Sequence, residues 1–100
     1  MAHYVASKGA VIALTKSLAR EYAPVGITVN NIPPSGIETP MQRQSQAAGN
    51  LASNEQIAQN IPVGHLGTSE DIAAAVGFLC SDEAGFITGQ VLGVNGAAVM

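Results

Sequence analysis

The sequence predicts an α/β fold in which helices alternate with strands of a parallel sheet, in the order helix, strand, polar connection, helix, strand. Three patterns support this prediction: helical periodicity near the N-terminus, a run of β-branched residues after it, and a capped helix before a closing apolar segment. A helix that leads into a short apolar strand is typical of one step of a parallel sheet.

The first helix is predicted from Tyr4 to about Tyr22, and Pro24 with Gly26 should end it. Large apolar residues recur along it at helical spacing: Val11, Leu14, Leu18 and Tyr22. Small residues that would let another helix approach closely occupy the other side: Ala6, Gly9, Ala10 and Ala13. A packing face and an ordinary helix-forming segment explain this second pattern equally well.

A strand is predicted over residues 26–32, because β-branched residues are frequent there and prolines at 33 and 34 cannot donate to a ladder. Ligands of parallel sheets bind beyond the carboxyl ends of the strands. The loop that follows, residues 34–40, is therefore expected at a ligand-binding edge, and we call it the rim loop. Its amides and the Thr39 hydroxyl would be available to a ligand, although a rigid surface turn is the alternative.

Residues 42–60 are polar and nearly uncharged, with short helical patterns at 42–48 and 54–59. Few large apolar residues are present to hold this segment down, so we expect a mobile excursion that is either a lid or an ordinary loop. Residues 61–64 should then return to extended chain.

The second long helix should begin at a capping box over residues 68–71, where acidic side chains interact favourably with the helix dipole. Its predicted buried stripe consists of Ile72, Val76, Leu79 and Cys80. Cys80 is expected to be a packed thiol because no cation lies near it in sequence. His65 has no second metal ligand nearby and is also expected to be packed.

The last strand is predicted over residues 90–94. Thr88, Gly89 and Gly93 resemble the start of a glycine-rich phosphate loop. Such a loop needs a helix after it whose N-terminal amides meet the phosphates, and too few residues follow Gly93 for a long helix. We therefore interpret this segment as strand.

Composition excludes several classes of function. One hundred residues make at most one small domain, and four Lys and Arg against seven Asp and Glu leave no basic stripe for nucleic acid. The single cysteine excludes an internal disulfide and a cysteine-based metal cluster, and suits a reducing cytoplasm. The longest apolar run, residues 72–80, is too short for a membrane span, and no charged leader precedes an apolar segment.

Tyr4 and Lys8 are candidate acid/base residues, because on a helix they share a face one turn apart. The spacing alone is weak evidence, since it occurs by chance on many surface helices. At ~5 Å a lysine charge would favour a phenolate by ~3 kcal/mol at an effective dielectric of ~20, but by under ~1 kcal/mol in bulk water. Chemistry by this pair therefore requires a cleft that excludes water.

Five motifs occur in order along nearly the whole chain: Tyr4-Val5-Ala6-Ser7-Lys8-Gly9-Ala10, Ile27-Thr28-Val29-Asn30, the rim loop through Met41, Ser69-Glu70-Asp71-Ile72-Ala73 and Ile87-Thr88-Gly89-Gln90. Together they resemble the C-terminal half, or somewhat less, of a classical short-chain dehydrogenase/reductase. The resemblance implies the C-terminal part of a Rossmann-like doubly wound parallel sheet. It also implies NAD or NADP as cofactor and a small alcohol or ketone as substrate.

The resemblance implies roles for individual residues. Tyr4 would be the acid/base that exchanges a proton with the substrate oxygen, and Lys8 would bind the nicotinamide ribose and favour the Tyr4 phenolate. Ser7 is not the catalytic serine of the family. The remaining cofactor-binding residues would lie in the rim loop, with the Ile37 backbone at the carboxamide: Pro34, Ser35, Ile37 and Thr39. Residues 42–60 would form the substrate lid.

The family's N-terminal half, with its phosphate loop and catalytic serine, has no counterpart in these residues. Because Met1 closely precedes Tyr4, we expect a fragment, a truncated product or an internal-start gene. Two hypotheses follow. One is an NAD(P)-dependent oxidoreductase with Tyr4 and Lys8 as its working pair. The other is a non-catalytic module that packs with itself or a full-length homologue through the helix at 4–22 and the 69–94 region.

Overall fold

The computed structural model describes residues 1–49 and 53–99, in two compact units. The first unit comprises Met1–Ile32 with Gly77–Leu92, and the second comprises Pro33–Val76 with Gly93–Met100. The described residues contain four α-helices: α1 (Ala2–Tyr22), α2 (Pro40–Ala47), α3 (Asn54–Gln59) and α4 (Ser69–Leu79). Two 3-10 turns lie at Ala23–Val25 and Asp82–Ala84. None of the described helices is long and apolar enough to cross a bilayer.

The helix α1 confirms the first predicted element, although it begins at Ala2 rather than Tyr4. It ends at Tyr22, where the 3-10 turn that contains Pro24 begins, and Gly26 follows this turn with a φ of 85°. The buried residues of α1 are Thr15 and Ala19, and the Thr15 hydroxyl donates to the Val11 carbonyl at 2.7 Å. The predicted apolar residues of this helix lie mainly in the exposed or half-buried range: Val11, Leu14, Leu18 and Tyr22.

Continuous strands were predicted over residues 26–32 and 90–94, and this prediction is wrong for the described chain, which has isolated parallel bridges instead. In the first unit, Asn31 pairs with Val91. The ladder does not continue because two backbone donors bind side chains. The Val29 N–H donates to the Thr88 hydroxyl at 3.0 Å, and the Gln90 N–H donates to Asn30 Oδ1 at 3.0 Å.

The second unit has two parallel bridges, Pro34 with Val94 and Ile37 with Gly67. Residues 61–64, predicted to be extended, form a turn that the Gly64 N–H closes on the Ile61 carbonyl at 2.8 Å. Ile61 is 6% exposed and is the large aliphatic side chain buried among the described residues of this unit. His65 is exposed rather than packed, because its ring Nδ1 lies 2.8 Å from the adjacent Leu66 carbonyl outside the core.

The helices α2 and α3 coincide with the two short helical patterns of the polar connection. Ser53 caps α3 through a capping box with Gln56, and the Gln46 side chain donates to Asn54 at 2.6 Å. The predicted lid, residues 42–60, includes positions 50–52, which lie outside the described residues.

The capping box of α4 is confirmed. The Thr68 N–H donates to the Asp71 carboxylate at 2.8 Å, and the Asp71 N–H donates to the Thr68 hydroxyl at 3.2 Å. The predicted buried stripe is wrong: Ile72 and Leu79 are half-buried, and Val76 and Cys80 are exposed. Cys80 is not on the helical face because α4 ends at Leu79 and a turn begins there.

Candidate functional site

The helix α1 places Tyr4 and Lys8 on one face, as their spacing predicts. The Lys8 ammonium lies 5.5 Å from the centre of the Tyr4 ring, within the range of a cation–π contact. The Ser7 hydroxyl donates to the Tyr4 carbonyl at 2.8 Å, so it is directed to the backbone of its own helix. The phenol of Tyr4 and the ammonium of Lys8 are therefore neighbours on one face of α1.

Water reaches this pair within the first unit. Tyr4 is 51% exposed, and Lys8 is also exposed. Charges that are surrounded by water interact only weakly. Further protein surface around Tyr4 would be needed to strengthen the interaction between the two side chains.

The rim loop lies in the second unit and is held by backbone hydrogen bonds. The Ser35 N–H donates to the Val94 carbonyl at 3.3 Å. Gly67 uses both of its backbone groups on the loop: its N–H donates to the Gly36 carbonyl at 2.9 Å, and its carbonyl accepts from the Glu38 N–H at 3.0 Å.

This pattern leaves the backbone of Ile37 unpaired. In a parallel bridge, one of the two residues makes both hydrogen bonds, through its N–H and its C=O. The residue opposite directs its own N–H and C=O away from it. Among residues 1–49 and 53–99, no hydrogen bond involves the Ile37 N–H or C=O. A donor and an acceptor on one residue match a primary carboxamide, which offers an acceptor and a donor of its own.

The other predicted rim-loop residues lie beside this backbone. Pro34 forms the bridge to Val94, and the exposed Ser35 follows it. Thr39 is half-buried, and its carbonyl accepts from the Arg43 N–H at 3.0 Å at the start of α2. The structure thus brings the predicted cofactor residues of the rim loop together, and places Tyr4 and Lys8 in the first unit.

An ion pair that sequence reasoning missed joins the rim loop to α2. Arg43 contacts the Glu38 carboxylate through Nη2 at 2.6 Å and through Nε at 3.0 Å. Because both side chains are partly exposed, such a pair is worth about 0–1 kcal/mol. The sequence signal for this ion pair was two opposite charges five residues apart, with a proline that begins a helix between them.

Acidic, histidine and cysteine side chains do not gather around a metal position in the described part of the chain. The second unit has a pocket of about 340 Å³ at the rim loop. Its walls include the residues Ser35, Ile37, Ile61, Val63, His65 and Asn95.

Residues 1–97 match the sequence profile of a protein family described as enoyl-(acyl carrier protein) reductase. The chain belongs to the short-chain dehydrogenase/reductase family. This family is one of oxidoreductases, and the resemblance seen in the five ordered motifs is confirmed.

Named relatives agree with the family assignment. The 3-oxoacyl-(acyl-carrier-protein) reductase FabG of Salmonella typhimurium is 49% identical over 102 residues, which cover 99% of this chain and 39% of the relative. The chain therefore spans well under half the length of the curated reductases that it matches.

Solved structures confirm the α/β fold class. A short-chain dehydrogenase/reductase from Brucella melitensis, described as a glucose/ribitol dehydrogenase, matches with a TM-score of 0.85 at 38% identity, over 99% of this chain and 38% of that one. A protein from Agrobacterium tumefaciens designated a 2-deoxy-d-gluconate 3-dehydrogenase, solved with bound NADP, matches with a TM-score of 0.82 at 44% identity, over 95% of this chain and 38% of that one. These neighbours are Rossmann-fold members of the family.

Proposed function

We propose that this chain is the C-terminal half of a Rossmann-fold domain in an NAD(P)-dependent oxidoreductase. The enzyme would interconvert a secondary alcohol and a ketone. The observation that supports this most directly is the Lys8 ammonium 5.5 Å from the Tyr4 ring centre, in a chain of this family. Cytoplasmic location is part of the proposal.

Tyr4 is the proton-transfer residue of the proposed reaction. Its phenolic oxygen takes the hydroxyl proton of the alcohol in one direction and returns it to the ketone oxygen in the other. Lys8 favours the deprotonated phenol by its charge and donates hydrogen bonds to the ribose hydroxyls of the cofactor. The nicotinamide supplies the hydride acceptor or donor when it is bound.

The rim loop is the proposed holder of the nicotinamide. The unpaired N–H and C=O of Ile37 suit the carboxamide group, whose oxygen accepts and whose amino group donates. Thr39 lies two residues further along and would add a hydrogen bond, while Pro34 and Ser35 form the adjoining wall. The relative from Agrobacterium tumefaciens binds NADP, which supports a nicotinamide dinucleotide as the class of ligand.

The substrate is proposed to be a small molecule with a secondary hydroxyl or keto group. The names of the relatives include a 3-oxoacyl reductase and a 3-dehydrogenase of a sugar acid, and both reactions concern such a carbon. Residues 42–60 are the proposed substrate lid, because they leave the rim loop directly through α2.

Exposed apolar side chains favour a second candidate function, that of a non-catalytic module which only associates. Several large apolar residues of α1 and α4 are exposed: Val5, Val11, Leu14, Val76 and Phe78. Exposed apolar surface on a helix can mark an interaction site. The partner would be a second copy or a full-length homologue, through the helix at 4–22 and the 69–94 region.

Titration of the purified chain with NADH and NADPH, followed by nicotinamide fluorescence, separates the two functions. For the oxidoreductase site we expect binding that weakens at least about tenfold in a Tyr4→Phe, Lys8→Ala double variant, since charge-assisted hydrogen bonds contribute roughly 1.5–3 kcal/mol. The same helix offers a matched control, Tyr22→Phe with Lys16→Ala, which should leave affinity unchanged. No binding of either cofactor below millimolar concentrations would favour the associating module.

A further inference from the structure

Ile61 occupies a central position in the second unit. It comes directly after α3 and Asn60, and its N–H donates to the Ala58 carbonyl at 3.1 Å. Its side chain is 6% exposed, in a unit where most other large apolar residues are exposed or half-buried. No local pattern indicates this burial, because Ile61 follows a polar segment and precedes a proline.

Two glycines approach the Ile61 side chain closely. A Cβ built on Gly36 would lie 2.8 Å from Ile61 Cδ1, and a Cβ built on Gly96 would lie 2.7 Å from Ile61 Cγ2. Distances under 3.0 Å do not occur between real Cβ atoms and their neighbours. The terminal methyl of Ile61 therefore packs against the rim loop, and its branch methyl packs against the C-terminal turn.

Val63 makes only one of these two contacts. A Cβ on Gly96 would lie 2.7 Å from Val63 Cγ2, whereas the atoms nearest to Gly36 all belong to Ile61. The backbone of the turn is fixed independently of both side chains, by the Gly64 N–H on the Ile61 carbonyl at 2.8 Å and the Val63 N–H on the Gly96 carbonyl at 3.2 Å. Trimming either side chain should therefore leave the turn in place.

We propose that Ile61 is a positioning residue for the rim loop. Its Cδ1 methyl fixes Gly36, whose carbonyl accepts the Gly67 N–H, and this bridge directs the N–H and C=O of Ile37 away from Gly67. The role of that backbone in binding the nicotinamide carboxamide depends on the function proposed above. The proposed role of Ile61 is to hold the loop in place and not to take part in the chemistry.

The physical reason is the packing density of protein interiors. Removal of the Cδ1 methyl leaves a small void beside Gly36, and surrounding atoms fill such voids only in part. Gly36 has a φ of 70° and no side chain of its own to anchor it. The loop would then sample conformations in which the Gly36 carbonyl leaves Gly67.

Amide hydrogen exchange by NMR on the full chain tests this proposal without any cofactor. Ile61→Val removes Cδ1 and keeps both Cγ atoms, so we expect the amides of Gly67 and Glu38 to exchange roughly 3- to 10-fold faster. Val63→Ala is the matched control, and it should leave these two amides unchanged. The α4 amides should exchange at the same rate in both variants, which excludes general loosening of the unit.

Two results would overturn the proposal. One is equal acceleration of the Gly67 and Glu38 amides in both variants, and the other is no change in Ile61→Val. The NADPH titration gives an independent readout, in which Ile61→Val should weaken affinity about 2- to 10-fold. If the unaltered chain binds no cofactor, the proposed function fails, and the exchange rates still decide whether Ile61 holds the loop.

Discussion

Gly36 and Gly64 adopt the same left-handed backbone region but differ in what surrounds them. Their φ values are 70° and 89°, and only Gly36 has a neighbour within 4 Å of an added Cβ, namely Ile61. Substituting each of these two glycines therefore distinguishes the cost of backbone strain from the cost of steric overlap.

We expect Gly36→Ala to reduce the free energy of unfolding by about 2–3 kcal/mol and Gly64→Ala by about 1 kcal/mol. The difference comes from the Ile61 methyl, which an alanine at 36 would have to displace. Urea unfolding followed by circular dichroism measures both values. Equal losses would mean that the overlap at Gly36 is relieved without cost.

Asn30 and Asn31 form a second informative pair of neighbouring residues. The Asn30 side chain donates to the Ile87 carbonyl at 3.1 Å and accepts from the Gln90 N–H at 3.0 Å. Asn31 takes part in the bridge to Val91 through its backbone. The side chain of Asn30 thus joins the two extended segments of the first unit.

Asn30→Ala should lower the free energy of unfolding by about 1–3 kcal/mol, because the half-buried Ile87 carbonyl and the exposed Gln90 N–H both lose their partner. Asn31→Ala should change it by less than about 0.5 kcal/mol, since the bridge is formed by backbone groups. Thermal and urea unfolding monitored at several wavelengths would test this order. A larger effect from Asn31 would contradict the assignment.

At the scale of elements, α4 depends on its first turn. Thr68 and Asp71 satisfy each other's backbone N–H groups, and the neighbouring Ser69 makes no such contact. We expect Thr68→Ala to cost about 0.5–2 kcal/mol and to shorten the helix from its N-terminus, with Ser69→Ala as the neutral control. Helical circular dichroism and urea midpoints would reveal the difference, and a comparable loss in both variants would argue against capping.

The helices were predictable because their signals are local. The periodicity of α1, the capping box of α4 and the spacing of Tyr4 and Lys8 all operate within a few residues of one another. The continuous strands were not formed, because the Val29 and Gln90 N–H groups bind side chains from distant segments. Local β-propensity contains no information about such competition.

The candidate site was predictable to the same extent. Local spacing identified the pair on α1, and proline and glycine identified the rim loop. The contact of Ile61 with Gly36 and Gly96 joins three segments separated widely in sequence, so no local pattern could indicate it. Cys80 and His65 were expected to be packed and are exposed, since burial is decided by tertiary neighbours rather than by residue type.

At the scale of the whole molecule, little apolar surface is buried. The buried apolar residues of the described chain are Ala19, Ile61 and Ala84. A small chain with such a limited core is marginal in stability unless association covers more of its surface. The exposed apolar residues of α1 and α4 provide that surface.

We therefore expect the isolated chain to associate or aggregate, and its unfolding midpoint to rise with protein concentration. Sedimentation velocity over a hundredfold range of concentration, together with thermal scans at each one, would measure this. Leu14→Glu on α1 should reduce association, whereas Ser17→Glu would serve as a control for added charge. A sharp, concentration-independent transition of a monomer would refute the expectation.

The exposure of Cys80 has a practical consequence for those measurements. It is the only thiol in the sequence and it lies at the surface after α4. Air oxidation can therefore produce one covalent dimer and no internal disulfide, so non-covalent association must be measured with a reductant present. The same thiol can be labelled with a single maleimide fluorophore at a known position. Exchange of subunits between chains labelled with different fluorophores can then be followed by energy transfer.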